Sequence, residues 1–219
     1  RGDRTGGKLG FCRTPYMPLI SSVGPHLGEE RCLVGAGGSG TIFFAGCNLR
    51  CIFCQNYDIS HYRAGSETSV QRLAEHMLSL QARGCCNINL VTPSHLTAPI
   101  AAAIETAREK GLNIPIVYNS GGYDSPEVIE LLDGFIDIYM PDMKYSDSRI
   151  AEQLPSAQDY PRINQSAVMK MHQQVGDLTI ENGLAVRGLL IRHLVLPEEA
   201  AGSRQIIYFL AEKVSENTA

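Results

Sequence analysis

Three cysteines, Cys47, Cys51 and Cys54, fall at CxxxCxxC spacing in the run GCNLRCIFCQN. Thiolates are soft ligands that suit iron or zinc. Three on so short a loop can converge on one centre, which ties the segment to a metal before any periodicity is considered. A 4Fe–4S cube usually takes four protein thiolates. The local motif supplies three and leaves one iron open for a substrate or cofactor. The alternatives are a three-thiolate zinc site completed by His61, a disulfide, or buried inert thiols. A structural zinc site ordinarily takes four protein ligands in paired CxxC or CxxC/HxxxH units, and the chain has no second CxxC.

The length of 219 residues fits one domain with a substantial core, and 44% apolar with 19% charged residues is ordinary for a globular chain. The net charge of −4 and the lack of a basic run argue against a nucleic-acid partner. No apolar stretch is long enough to span a membrane, and no signal peptide is evident. Seven cysteines, an odd number with three on one loop, argue against a secreted disulfide framework. The expected compartment is the reducing cytoplasm. The chain begins at Arg1 rather than Met, so a leading segment is allowed for in this reading.

Residues 1–34 are rich in Gly, Pro and charge and read as an irregular N-terminal extension; the domain proper is expected over 35–219. Within it, short apolar runs at 41–45, 87–92, 114–119, 136–140 and 189–196 alternate with amphipathic segments. That alternation predicts βαβ units and a parallel sheet. Thr68 with Gln71 reads as a capping box ahead of a stripe of Val70, Leu73, Ala74, Met77 and Leu78, ended by Gly84. Further helices are predicted over 97–110, from Ser125-Pro126-Glu127, over 161–175 and over 203–215. Asn182-Gly183 reads as a tight hairpin inserted before the fifth strand. The series of five strand–helix units predicts an α/β fold, an open, partial (β/α) barrel.

In α/β barrels the working residues collect at the carboxyl ends of the strands. The three cysteines follow the first strand. Thr92, Ser94 and His95 follow the second, Asn119 and Ser120 close the third, Asp142 and Lys144 follow the fourth, and Arg192 lies within the fifth. Polar residues after strands are also common as plain loop residues. Alternation puts Arg192 on one face with Leu190 and Leu194, and His193 on the other. The Gly-rich run at 35–40 lacks the Lys-Ser/Thr of a phosphate loop and precedes a strand. Cys85 and Cys86 precede the second strand at the opposite end, about 15–20 Å away along the strand. They read as packing thiols, as do Cys12 and Cys32.

CxxxCxxC with an aromatic before the last cysteine, here Phe53, resembles the signature of the radical S-adenosylmethionine (radical SAM) superfamily. The stretch GSGTIFFAGCNLRCIFCQN is similar to the pyruvate formate-lyase activating enzyme branch, in particular its PflX-like members. NINLVTPSH, IPIVYNSGGYDS, DIYMPDMKY and VRGLLIRHLVLP fit the same family, so the resemblance runs from about Gly35 to Pro197. It implies a 4Fe–4S cluster on the three cysteines and S-adenosylmethionine as cofactor. It also implies cofactor contacts from the Asp142-Met143-Lys144 pattern and from Arg192, and Phe53 is expected among the cofactor-binding residues. The relatives carry a GGE motif after the second strand that binds the methionine amino group. This chain has Val91-Thr92-Pro93-Ser94-His95 there, so the Thr92 and Ser94 hydroxyls and nearby carbonyls are expected to accept those bonds. Asn119 completes the expected cofactor contacts.

The implied activity is reductive cleavage of S-adenosylmethionine to a 5′-deoxyadenosyl radical that abstracts hydrogen. The implied partners are an electron donor such as flavodoxin or ferredoxin and a protein substrate on which a glycyl radical is installed. Radical chemistry on a small molecule or another peptide is the alternative within the class. Outside it stand an iron–sulfur electron carrier and a zinc-stabilised binding module. The family's minimal barrel has six units. Here either the sixth strand lies beyond the chain or the barrel is incomplete.

Overall fold

The computed structural model describes residues 3–219. Its strands in chain order are β1 (Leu19–His26), β2 (Ser39–Phe44), β3 (Ser66–Glu67), β4 (Ile88–Val91), β5 (Ile116–Ser120), β6 (Ile138–Pro141), β7 (Thr179–Glu181) and β8 (Leu184–Leu189). The helices are α1 (Tyr57–His61), α2 (Val70–Ala82), α3 (Thr97–Glu109), α4 (Pro126–Leu131), α5 (Ser148–Gln153), α6 (Tyr160–Val175) and α7 (Ser203–Phe209), the last running into a π-helical turn at Leu210–Val214. All strands join one sheet in the order β3-β1-β2-β4-β5-β6-β8-β7. The five central strands β2, β4, β5, β6 and β8 are parallel. β1 and β7 pair antiparallel at their flanks. The result is an α/β fold with five parallel strand–helix units, consistent with a partial barrel.

Every residue of β4, β5 and β6 is buried, as expected of parallel strands covered on both faces. On the helix side, Ile88, Leu90, Ile116, Tyr118 and Tyr139 pack with Met77, Ile104 and Val168 of the helices. On the inner side, Val117, Ile138 and Met140 close around Leu33 and Ala185. Leu33 belongs to a turn at Arg31–Leu33 and is fully buried. Its carbonyl accepts from Asn87 Nδ2 at 2.9 Å, so this segment plugs the inner face near the start of β4. Full burial of such a side chain contributes roughly 2 kcal/mol.

The structure departs from the sequence reading in five places. The stretch before residue 35 is not irregular throughout, because 19–26 forms β1 along the free edge of β2. LISSVGPH lacks alternation and carries Gly24 and Pro25, which are tolerated because β3 pairs only with Leu19 and Ile20 and leaves the outer edge open beyond them. The cap of α2 is Ser69, whose hydroxyl accepts from the Arg72 N–H, rather than Thr68, whose N–H goes to Pro18. The fifth parallel strand is the second arm of the Asn182-Gly183 hairpin, not a run at 189–196. The hairpin itself forms, with both turn residues at positive φ as its type demands. Arg192 therefore lies beyond the strand, held by an isolated bridge to Asp142. A short helix, α5, forms without a strong sequence signal. Among the described residues no strand follows α7.

Candidate active site

One cavity of about 940 Å³ gathers the strand ends with part of the segment that precedes β2. Cys47, Cys51 and Cys54 line it, together with Phe53, Thr92, Asn119, Asp142, Lys144 and Arg192. The loop that carries the cysteines leaves β2 at Gly46, which sits at φ +81°. A side chain there would collide with Thr14 and the Cys12 carbonyl, so glycine lets the loop turn against the N-terminal segment. Cys54 N–H returns to the Cys51 carbonyl at 3.1 Å, a tight turn that keeps the last two cysteines together.

Burial pushes the Cys47 thiol up, and pushes Cys51 up to about 11. The Lys144 ammonium works the other way on both. Donors already point at two of the sulfurs: Leu49 N–H reaches Cys47 Sγ at 3.4 Å and Ser60 Oγ reaches Cys54 Sγ at 3.3 Å. Among the described residues no three His, Cys, Asp or Glu side chains are grouped as a single metal ion requires. A cube, whose ligands sit on separate iron atoms, asks for a wider spread. Three cysteines along one cavity wall, with a cation beside two of them, fit that anionic group.

The same cavity holds an ion-pair network. Lys144 Nζ meets Asp142 Oδ2 at 2.5 Å, and Arg192 Nε meets Asp142 Oδ1 at 3.1 Å. Arg192 also donates to Asn119 Oδ1 at 2.7 Å and lies 3.6 Å from Glu29 Oε1. Burial works against the Lys144 charge, but the Asp142 partner more than offsets it and holds the ammonium's pKa up. The Asp142 carbonyl is braced from below by Tyr160 Oη at 3.0 Å and Asn164 Nδ2 at 2.9 Å. Arg192 and His193 both border the cavity, and His193 is held there by the Met143 carbonyl and Ser203 Oγ.

Thr92 borders the cavity at φ +63°, uncommon for a β-branched residue, with its N–H on the Asn119 carbonyl at 2.9 Å. Strain of this kind costs about 1–3 kcal/mol and persists only where neighbours over-determine it. Past this kink, Ser94 does not join the cavity residues. It hydrogen-bonds to buried Asp124, which also takes Tyr118 Oη at 2.9 Å and Ser120 Oγ at 2.8 Å. Burial raises the Asp124 pKa against the pull of these three donors. The expected Ser94 contact with the cofactor is corrected accordingly: the left-handed turn at Thr92 redirects the chain into the core.

His95 is a strut. Its Nε2 donates to the Ala45 carbonyl at 3.1 Å, its Nδ1 is buried without a partner, and Arg4 donates to its carbonyl. Burial lowers its pKa to about 4 from 6.5. Above pH 6.5 both folded and unfolded chains hold it neutral. As pH falls from 6.5 toward 4, the unfolded chain takes up a proton that the folded one refuses, so stability declines, by ~2 kcal/mol at about pH 5. Urea unfolding at about pH 7.5 and about pH 5 should show this drop, and His95→Gln should shrink it by that amount. Equal pH sensitivity in the variant would refute the assignment.

Sequence reasoning missed Glu29 and Asn89. Ile88 and Leu90 pack toward the helices, so Asn89 faces inward, where its Nδ2 donates to Glu29 Oε2 at 2.7 Å. Glu29 thus lines the cavity from a segment read as irregular, and no local pattern marks it. Cys86 lies by the plug, bonded by the Gly35 N–H and facing the Leu33 carbonyl, and Cys12 is buried against Thr14.

The family model of the radical SAM superfamily matches residues 41–201, nearly three quarters of the chain. The chain belongs to the radical SAM superfamily. Membership implies a 4Fe–4S cluster and S-adenosylmethionine, and the radical SAM match spans the cysteine loop, the Asp142–Lys144 pair and Arg192. The chain is also 30% identical over 218 residues to an uncharacterized protein of Methanocaldococcus jannaschii. The similarity covers 95% of this chain and 58% of that relative, so the chain spans little more than half of its length. No helix among the described residues is long and apolar enough to cross a membrane.

Proposed function

We propose that the chain reductively cleaves S-adenosylmethionine, with Cys47, Cys51 and Cys54 holding a 4Fe–4S cluster. The observation that carries this reading is the single cavity shared by the three cysteines and the Asp142–Lys144–Arg192 network. The chemistry supplied by the bound pair is one-electron cleavage of the C5′–S bond, giving methionine and a 5′-deoxyadenosyl radical that takes hydrogen from the substrate.

The protein's own part is placement. Lys144 sets a positive charge beside Cys47 and Cys51, which favours an anionic cluster there. Asp142 holds Lys144 and Arg192 in place, and the Arg192 fork is preorganised to meet a carboxylate or ribose hydroxyls. Thr92 and Asn119 offer polar groups at the ends of the second and third parallel strands, and the Val91–His95 run after the second carries no acidic residue. Phe53 borders the cavity between Cys51 and Cys54 and packs edge-on to Tyr145, with centroids 6.4 Å apart. Installation of a glycyl radical on a partner protein, fed by a flavodoxin or ferredoxin, is the reaction assigned. Its support is the sequence resemblance to the activating-enzyme branch.

The test is anaerobic reconstitution with iron and sulfide, reduction with dithionite, and chromatography for 5′-deoxyadenosine. Formation of 5′-deoxyadenosine and methionine in equal amounts is expected. An intact cluster that yields none would favour a plain electron carrier. Stoichiometric zinc with no iron uptake would favour a binding module.

A further inference from the structure

The cysteine loop has two faces. Cys47, Cys51, Phe53, Cys54, Asn56 and Ser60 lie on the cavity wall; Arg50, Ile52, Tyr57 and Tyr62 do not. On this outer face the N-terminal segment joins the loop. The Arg50 guanidinium stands 5.7 Å from the Phe11 ring centroid, and Arg63 donates to the Arg13 carbonyl at 2.6 Å. Tyr57 stacks on His61 at 3.9 Å and meets Tyr62 edge-on at 5.5 Å, while His61 Nε2 reaches the Arg50 carbonyl at 3.3 Å. Arg4 anchors the segment through the Pro15 and His95 carbonyls.

Two properties of this patch point outward. Leu9, Phe11, Ile52, Tyr57 and Tyr62, all on the N-terminal segment or the cysteine loop and the short helix after it, are large apolar side chains left 41–71% exposed by the described residues. Residues 3–16 and 47–63 also carry five cations, Arg4, Lys8, Arg13, Arg50 and Arg63, against two carboxylates, Asp3 and Asp58. The chain as a whole has a net charge of −4, so this face is positive on an otherwise acidic protein. Apolar centres with charged rims are the anatomy of a transient interface, and opposed charge speeds encounter.

Arg50, Ile52, Tyr57 and Tyr62 do not border the cavity, so a partner resting on them has the cysteine loop between itself and the site. What must cross the loop from outside is an electron. We propose that the outer face of the cysteine loop, with residues 9–13, is the docking surface for a small acidic one-electron carrier protein. The inference rests on the function proposed above and adds the place and charge of the reductant. One electron leaves the carrier and is taken up by the iron–sulfur centre, and no atom or proton is transferred.

The test compares two reductants on the reconstituted full chain. Reduction by an acidic flavodoxin should slow as salt is added, and the doubly charge-reversed Lys8→Glu/Arg63→Glu should be slower by about tenfold or more at low salt. Reduction by dithionite, iron content and dithionite-driven 5′-deoxyadenosine should be unchanged in the variant, because both residues are exposed and lie off the cavity wall. Lys8→Glu alone, which leaves the Arg63 bond to the Arg13 carbonyl intact, should show a smaller effect in the same direction. A wild-type flavodoxin rate in both variants, or a rate indifferent to salt, would overturn the proposal. So would a variant reduced normally that has lost only binding of a protein substrate, which would make the patch a substrate surface. Failure of the parent reading is separate: wild-type protein would then give no 5′-deoxyadenosine even with dithionite.

Discussion

Cys51→Ala is expected to abolish iron–sulfur assembly, leaving no cluster absorbance, no stoichiometric iron and no 5′-deoxyadenosine. Each of the three cysteines would bond its own iron, and the cavity offers no other thiolate to replace a lost one. Cys85 and Cys86 cannot substitute, since they adjoin Gly37 and Leu33 at the opposite end of the strands. Cys85→Ala and Cys86→Ala should therefore keep the iron count. Cys51 packs with Leu49, Tyr145 and Tyr160, so trimming its small side chain should cost the apo fold only about 1 kcal/mol. The apo variant should remain folded by circular dichroism, which separates lost ligation from lost structure. Full iron in Cys51→Ala would remove the basis of the whole functional reading.

Arg192→Ala should weaken S-adenosylmethionine binding by about ten- to a hundredfold while leaving the iron count unchanged. The guanidinium is shared among Asp142, Asn119 and Glu29. Removing it leaves Glu29 with Asn89 alone and deprives Asp142 of one of two cations. Breaking such a partly buried pair costs on the order of 3 kcal/mol of stability. Arg192→Lys restores charge without the planar fork, so it should recover stability better than affinity. Calorimetric titration of the reconstituted variants, with urea unfolding in parallel, reads both. Unchanged affinity would mean that the network is structural, and loss of iron would mean that Arg192 supports the cysteine loop.

Where local chemistry decides structure, the sequence was sufficient to read it. Asn182-Gly183 dictates its hairpin because both residues accept positive φ, and Ser125-Pro126 opens α4 because proline suits the first helical turn. The cysteine spacing singled out the loop that lines the cavity, because the pattern of candidate metal ligands is written in residue type and separation. The parallel core was legible because strands covered on both faces need continuous apolar runs.

What the sequence left undecided depends on partners distant along the chain. β1 exists because β2 offers an unpaired edge, not because 19–26 alternates. Ser94 and Thr92 are both small hydroxyl residues after one strand. Only the left-handed turn at Thr92 leaves one on the cavity and sends the other to Asp124. Glu29 is one carboxylate in a stretch with no period, and it becomes part of the site when the Leu33 plug carries it to Asn89 and Arg192. The sequence by itself thus determined the class of fold and the three cysteines, through short-range patterns of burial and ligation. Tertiary structure alone decided which polar residues meet, because a buried charge finds its place by pairing across elements, and no local spacing encodes that pairing.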